Sequence, residues 1–180
     1  LEDPQADYER LVGALSSRFG LPRLEIDHPA IRALPRALRK GQWTVTAAVW
    51  METEILALFP GVVDDCFGLA IDMGTTTVAG YLCSLTTGKV VATRSIMNPQ
   101  VAFGEDVISR ITYAIEQTDG PDKLHETIRE GLNGLISGIS ADAGLKGDDL
   151  LDMTLVGNTA MHHLFLGIDP QPLGCSPFAP

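Results

Sequence analysis

A chain of 180 residues with 45% hydrophobic and 20% charged residues has the composition of one or two globular domains built on an apolar core, not of a disordered or fibrous polymer. Its formal net charge of −10 argues against a nucleic-acid surface, which needs a basic patch. There is no run of about 18 apolar residues to suggest a transmembrane span, and no signal-peptide pattern opens the chain. Cys66, Cys83 and Cys175 are isolated, with no Cys-x-x-Cys pair. They fit a reducing cytoplasm better than a disulfide framework or a zinc site.

The first sixty residues read as a small α+β domain, residues 1–62, near the lower size limit for independent stability. Tyr8, Leu11, Val12, Leu15 and Phe19 recur at helical spacing over Asp7–Phe19, and Gly20 stops that helix. Leu24–Asp27 predicts a strand. Pro29 and Pro35 suit first helical turns, so Ala30–Lys40 predicts one or two short helical pieces, carrying the cluster Arg32, Arg36, Arg39 and Lys40 on a solvated face. Trp43–Trp50 alternates as a half-buried strand does, Glu54–Phe59 predicts another, Pro60-Gly61 marks a turn, and Val62–Cys66 reads as a linker.

The second domain is expected over 67–180. Leu69, Ala70 and Ile71 form a short run apolar on both faces, as in an inner strand covered on both sides. Asp72 arrives where that strand runs out, placed to hold the water shell of Mg²⁺. Gly74 permits positive φ and removes a Cβ, so the N–H groups and hydroxyls of Thr75, Thr76 and Thr77 can close on an anion. The same pattern also fits a plain β-hairpin, since a turn glycine and strand threonines are ordinary.

Val78–Leu82 predicts a second strand, Leu85–Gly88 a turn and Lys89–Met97 a third strand. Asn98-Pro99 reads as a turn, and Gly104-Glu105-Asp106 loads acid at a helix start, which capping explains; an active-site role for Asn98, Gln100 or Asp106 is the other reading. Phe103–Gln117 predicts a helix with Val107, Ile108, Ile111, Ala114 and Ile115 on one stripe. A second helix runs from Pro121, with Leu124, Ile128, Leu132, Leu135, Ile136 and Ile139 inward, until Gly144. Asp152–Val156 predicts a strand, and Gly157-Asn158-Thr159 leads into a helix ending near Gly167. At that turn a phosphate could meet the positive helix end, or the residues could simply cap it.

The strand–Asp-Met-Gly-Thr-Thr-Thr–strand unit and the order β-β-β-α-α-β-α resemble the first phosphate motif and first half of the actin, sugar-kinase and heat-shock-chaperone ATPase superfamily, a ribonuclease-H-like α/β fold. NPQVAFGEDVISRITYA (98–114) and LVGNTAMHHLFLGIDPQPLGCSPFAP (155–180) are similar, more narrowly, to the reductive activators of corrinoid proteins. The resemblance implies ATP and Mg²⁺ as cofactors, with Asp72 as the catalytic and metal-positioning carboxylate. It places Gly74, Thr75, Thr76 and Thr77, with Gly157, Asn158 and Thr159, around the phosphates. It also implies a corrinoid protein as partner and an electron donor acting through a 2Fe–2S domain outside this chain.

The superfamily's second phosphate motif and adenosine motif lie beyond the first half, so the chain reads as part of a longer protein that by itself should be inactive and bind nucleotide weakly. A homodimer is a further expectation. Two other functional classes share the phosphate cradle, a small-molecule kinase of the sugar-kinase type and a nucleotide-switched interaction module.

Overall fold

The computed structural model describes residues 4–145 and 149–176. The chain divides into two compact units between Cys66 and Phe67.

The first unit packs two helices, α1 (Asp7–Phe19) and α2 (His28–Lys40), with a three-stranded sheet of β1 (Glu25–Ile26), β2 (Val45–Trp50) and β3 (Glu54–Pro60). The sheet order is β1-β3-β2, with β1 parallel and β2 antiparallel to β3. Leu11 and Leu15 of α1, Leu34 and Leu38 of α2 and Ile55 and Leu58 of β3 are buried together. The segment expected as one or two short pieces is one helix. Asp27 caps it, accepting from the His28 N–H at 2.7 Å, and Pro35 lies inside it. A proline there removes one backbone donor, and the buried face formed by Ala30, Leu34, Ala37 and Leu38 continues across it.

Trp43 is not in the second strand. Gln42 and Trp43 take left-handed φ values of 51° and 66°, which turns the chain after α2. The guanidinium groups of Arg10 and Arg39 both lie over the Trp43 ring, at 5.7 and 5.5 Å. Cation–π stacking on this ring and the Arg39–Asp7 ion pair at 2.5 Å occupy part of the basic face of α2.

The second unit is a four-stranded sheet, order β6-β5-β4-β7. Its strands are β4 (Phe67–Met73), β5 (Thr77–Ser84), β6 (Val90–Met97) and β7 (Leu150–Gly157). β4, β5 and β6 form an antiparallel meander, while β7 runs parallel to β4. The connection between β6 and β7 carries a 3₁₀ turn (Pro99–Phe103), then α3 (Val107–Glu116) and α4 (Gly120–Asp142). After β7 come α5 (Thr159–Leu166) and the short α6 (Gln171–Gly174). The helix expected from Phe103 starts at Val107 instead. Gly104 passes so close to α3 that a Cβ would lie 2.7 Å from the Arg110 nitrogen, and Asp106 caps the new start.

One face of this sheet is buried. Leu69, Ile71 and Met73 of β4 and Val78 and Leu82 of β5 meet Ile111, Leu124, Ile128, Leu135 and Ile139 from the helices. Gly80 has a structural reason here, since a Cβ on it would come 3.2 Å from Leu135 Cδ2 of α4. The expectation that β4 is covered on both faces does not hold among the described residues. Ala70 and Asp72 are exposed and alternate with the buried positions, and a small alanine does not reveal which side it faces. Ile108 and Ile115, assigned to the inward stripe of α3, are exposed at 61% and 44%. The buried positions of α3 are Arg110, Ile111 and Ala114, with Val107 partly buried, so Ile108 and Ile115 lie one residue outside the inward stripe.

Candidate functional site

Parallel pairing sets Asp72 beside Val156 and Met73 beside Gly157. The carboxyl ends of β4 and β7 therefore lie side by side, and so do the segments that follow them, Gly74–Thr77 and Gly157–Thr159. Ligands in open α/β sheets bind at such carboxyl ends. Asp72, at the end of β4, is exposed on the uncovered face of the sheet.

The Gly74–Thr77 turn is held by its carbonyl groups. Asn98 Nδ2 donates to the Gly74 carbonyl at 2.9 Å, an Arg110 guanidinium nitrogen donates to the Thr75 carbonyl, and the Asn98 backbone N–H donates to the Thr76 carbonyl at 2.8 Å. Asn98 and Arg110 have no exposed surface. Both also approach the sulfur of the buried Met161, at 3.8 and 3.3 Å, so the two side chains share one buried neighbour and pull from the core side. In a trans peptide the N–H points opposite to the C=O. Pinning the carbonyls of Gly74 and Thr75 from the core side therefore turns the N–H groups of Thr75 and Thr76 away from the core, while the bond from the Asn98 N–H to the Thr76 carbonyl continues the β5–β6 ladder. Two consecutive outward N–H groups make a concavity suited to an anion.

Of the two reasons expected for Gly74, the missing Cβ holds and the left-handed backbone does not. Its φ is not positive. A Cβ on it would lie 2.6 Å from the Thr77 carbonyl oxygen, so close approach of the backbone, not left-handed geometry, excludes a side chain.

The second segment closes onto the first. Asn158 caps α5, its Oδ1 accepting from the Met161 N–H at 2.9 Å, while its Nδ2 donates to Thr75 Oγ1 at 3.2 Å. Thr159 opens the helix, and Gly157 packs against β4, where a Cβ would come 3.0 Å from the Met73 carbonyl. Gly157, Asn158 and Thr159 are exposed, as are Thr76 and Thr77. One amide thus links the start of α5 to the threonine turn.

The residues between 98 and 106 have three different positions. Asn98 grips the turn. Gln100 is buried away from it, its Nε2 donating to the Leu124 carbonyl at 3.0 Å. Asp106 forms a capping box with Ser109, accepting from the Ser109 N–H at 2.7 Å, while Ser109 Oγ accepts from the Asp106 N–H at 3.1 Å. The Ser109 N–H, then its hydroxyl, holds the Asp106 carboxyl below the usual carboxylate range, with a smaller contribution from the Arg110 charge. The folded-state pKa is depressed, so the cap contributes stability above the ordinary carboxylate pKa and loses it as pH falls through the folded value. Asp106→Ala should unfold at a lower temperature than the wild type at pH 7, and the gap should close as the pH falls below the ordinary carboxylate range. Thermal melts across pH check this, and a gap independent of pH counts against the cap.

Arg110 and Met161 were not singled out from the sequence. A charged residue at the fourth position of an apolar helical stripe, between Val107 and Ala114, was the available signal for Arg110. Met161 offered none, because a methionine in an apolar helix reads as core. Among the described residues no group of three or more His, Cys, Asp or Glu side chains could hold a metal ion. No helix among them is long and apolar enough to cross a membrane.

Comparison with known proteins gives concordant matches. A family model described as the RACo middle region matches residues 67–180, and one described as the RACo linker region matches residues 1–65. A protein of Eubacterium limosum named corrinoid activation enzyme RamQ is 42% identical over 112 residues, covering 62% of this chain and 19% of that protein. A solved structure described as a reductive activator for corrinoid, iron-sulfur protein matches with a TM-score of 0.79 at 36% identity, over 100% of this chain and 29% of that one. The chain thus spans well under a third of the length of either relative.

Proposed function

The chain belongs to the RACo family, and we propose that its second unit forms one wall of an ATP site that drives reductive activation of a corrinoid protein. The observation that carries this reading is the threonine turn, with the Gly74 and Thr75 carbonyls pinned by two buried side chains, joined through Asn158 to the start of α5. The residues present fit a nucleotide's phosphates. Outward N–H groups and threonine hydroxyls supply donors, a Cβ on Gly74 would meet the Thr77 carbonyl oxygen at 2.6 Å and so is excluded, and an exposed carboxylate stands at the strand end.

When bound, Mg-ATP supplies the transferable phosphoryl group and the metal's charge. The chain's own contribution is positioning. Thr75, Thr76 and Thr77 orient phosphate oxygens through N–H and hydroxyl donors, and Asn158 and Thr159 present the positive end of α5. Asp72 orients water at the metal, either the hydration shell or the attacking molecule.

The relatives' names motivate the corrinoid partner and the reductive chemistry. Such chemistry would need an external donor to supply one electron, by way of an iron–sulfur group, to reduce cobalt(II) to cobalt(I). Cys66, Cys83 and Cys175 are free thiols and form no ligand group among the described residues, so the iron–sulfur group is proposed for a part of the protein outside these 180 residues. Nucleotide binding or hydrolysis would bias a conformational equilibrium that makes the uphill transfer possible.

The test measures ATP hydrolysis by the full-length protein with and without a cobalt(II) corrinoid protein, while visible absorption follows the cobalt. Hydrolysis stimulated by the cobalt(II) form, with reduction that needs both ATP and an added reductant, is the expected outcome. Hydrolysis indifferent to the corrinoid protein, with cobalt unchanged, would sink the reading.

A further inference from the structure

The side chain at the back of the threonine turn is a buried cation. Arg110 lies on α3 with no exposed surface. Its Nε donates to the Gly104 carbonyl at 2.9 Å, one terminal nitrogen is 3.3 Å from the Met161 sulfur, and the other donates to the Thr75 carbonyl. Two carbonyl groups and a thioether satisfy its geometry without neutralising its charge. Among the described residues it takes part in no ion pair. Asp106, one turn earlier on the same helix, is exposed and engaged in capping.

A guanidinium does not shed its proton inside a protein. Burying it without an ion-pair partner is therefore costly, and the charge of Asp106, which is exposed to solvent, offsets only part of that cost. A helix that needed only packing at this position would be better served by leucine or methionine. The cost becomes intelligible if the counter-charge arrives from outside. The Thr75 carbonyl that Arg110 holds belongs to the same peptide plane as the Thr76 N–H, so the cation and the donor lie at opposite ends of one dipole. A cation at the carbonyl end polarises that peptide and strengthens the N–H towards an acceptor on the other side.

We propose that Arg110 is the positioning residue of the phosphate turn: it fixes the outward direction of the Thr76 N–H, and its buried charge is balanced when a phosphate anion occupies the outer side. The inference rests on the ATP-site reading and adds to it the group that prepares the turn. It also gives the Asn98–Met161–Arg110 cluster a division of labour. Asn98 sets the shape of the turn at Gly74 and Thr76 through neutral hydrogen bonds, and Arg110 sets its charge.

The experiment compares full-length wild type, Arg110→Gln and Arg110→Lys by calorimetric titration with Mg-ATP and by thermal unfolding without nucleotide. The glutamine variant should bind Mg-ATP more weakly by on the order of tenfold or more, since it loses a cation facing the phosphates across a low-dielectric peptide. Its nucleotide-free unfolding temperature should not fall, because the removed charge offsets the lost hydrogen bonds. Lysine keeps the charge without the fork and should lie between the two.

Unchanged affinity in Arg110→Gln, or a loss in Arg110→Lys as large as that in Arg110→Gln, overturns the proposal. A purely structural arginine would show the reverse pattern, a lower unfolding temperature with affinity retained below it. If Arg110→Gln does not fold, Arg110→Lys decides alone, binding retained supporting the proposal and binding abolished overturning it. Absence of Mg-ATP binding in the wild type would instead refute the ATP-site reading on which the proposal stands.

Discussion

Asp72→Asn is expected to lower ATP hydrolysis by on the order of a hundredfold or more, the usual effect of removing one preorganised electrostatic group. It should leave the fold intact. The substitution is isosteric, and the side chain is exposed at the end of β4, where changes usually alter stability by no more than about 0.5 kcal/mol. What is lost is charge. An amide oxygen is a weaker partner for the water shell of Mg²⁺ and does not accept a proton from an attacking water. Nucleotide affinity should fall less than turnover, because the N–H groups of the threonine turn and the start of α5 are untouched. Single-turnover phosphate release beside a binding titration separates the two effects. Turnover equal to the wild type in Asp72→Asn would remove Asp72 from the reaction.

Leu135→Ala should be the most destabilising single truncation in the second unit. Leu135 has no exposed surface, and its Cδ2 lies 3.2 Å from where a Cβ on Gly80 would sit. The side chain thus fills the gap that the strand glycine leaves. The gap lies under the middle of β5, a strand paired on both sides, so collapse into it would bend the ladder. The loss should fall in the range of about 2–5 kcal/mol found for buried leucines. In a chain of this size that lowers the unfolding temperature by roughly 10 °C. Ile108→Ala is the matched control, because its 61% exposure leaves little transfer energy to lose. Equal shifts for the two variants in calorimetric melts would contradict the assignment of the core.

The order and type of the elements were legible because hydrophobic period carries them. In the α4 stripe Leu124, Ile128, Leu132, Leu135 and Ile139 are buried as their spacing predicts, and Ile136 is partly buried. Positions on strands and turns were less legible. Leu69-Ala70-Ile71 looked buried on both faces, since alanine is compatible with either environment, and the fold exposes it. Trp43 continued an alternating pattern, but the chain turns there through left-handed residues that no glycine announces.

The candidate site was half visible. Its outward groups sit in two short motifs, Gly74–Thr77 and Gly157–Thr159, readable as an anion cradle. The groups that hold the motifs are dispersed over Asn98, Arg110 and Met161, on three different elements. A sequence displays a site's surface chemistry locally, whereas its support is assembled by tertiary contacts that have no local signature.

The pairing of the strands also bears on the order in which the site would form during folding. The threonine turn closes a hairpin between neighbouring strands, β4 and β5, and such local contacts cost little loop entropy and form early. β7 pairs with β4 only after the whole of α3 and α4 has been placed between them. Asn158 reaches Thr75 by that late, long-range pairing. Mutations that weaken the β4–β7 ladder should therefore slow maturation of the cleft more than they slow collapse, and refolding followed by a probe at Thr75 should lag behind the recovery of helical signal.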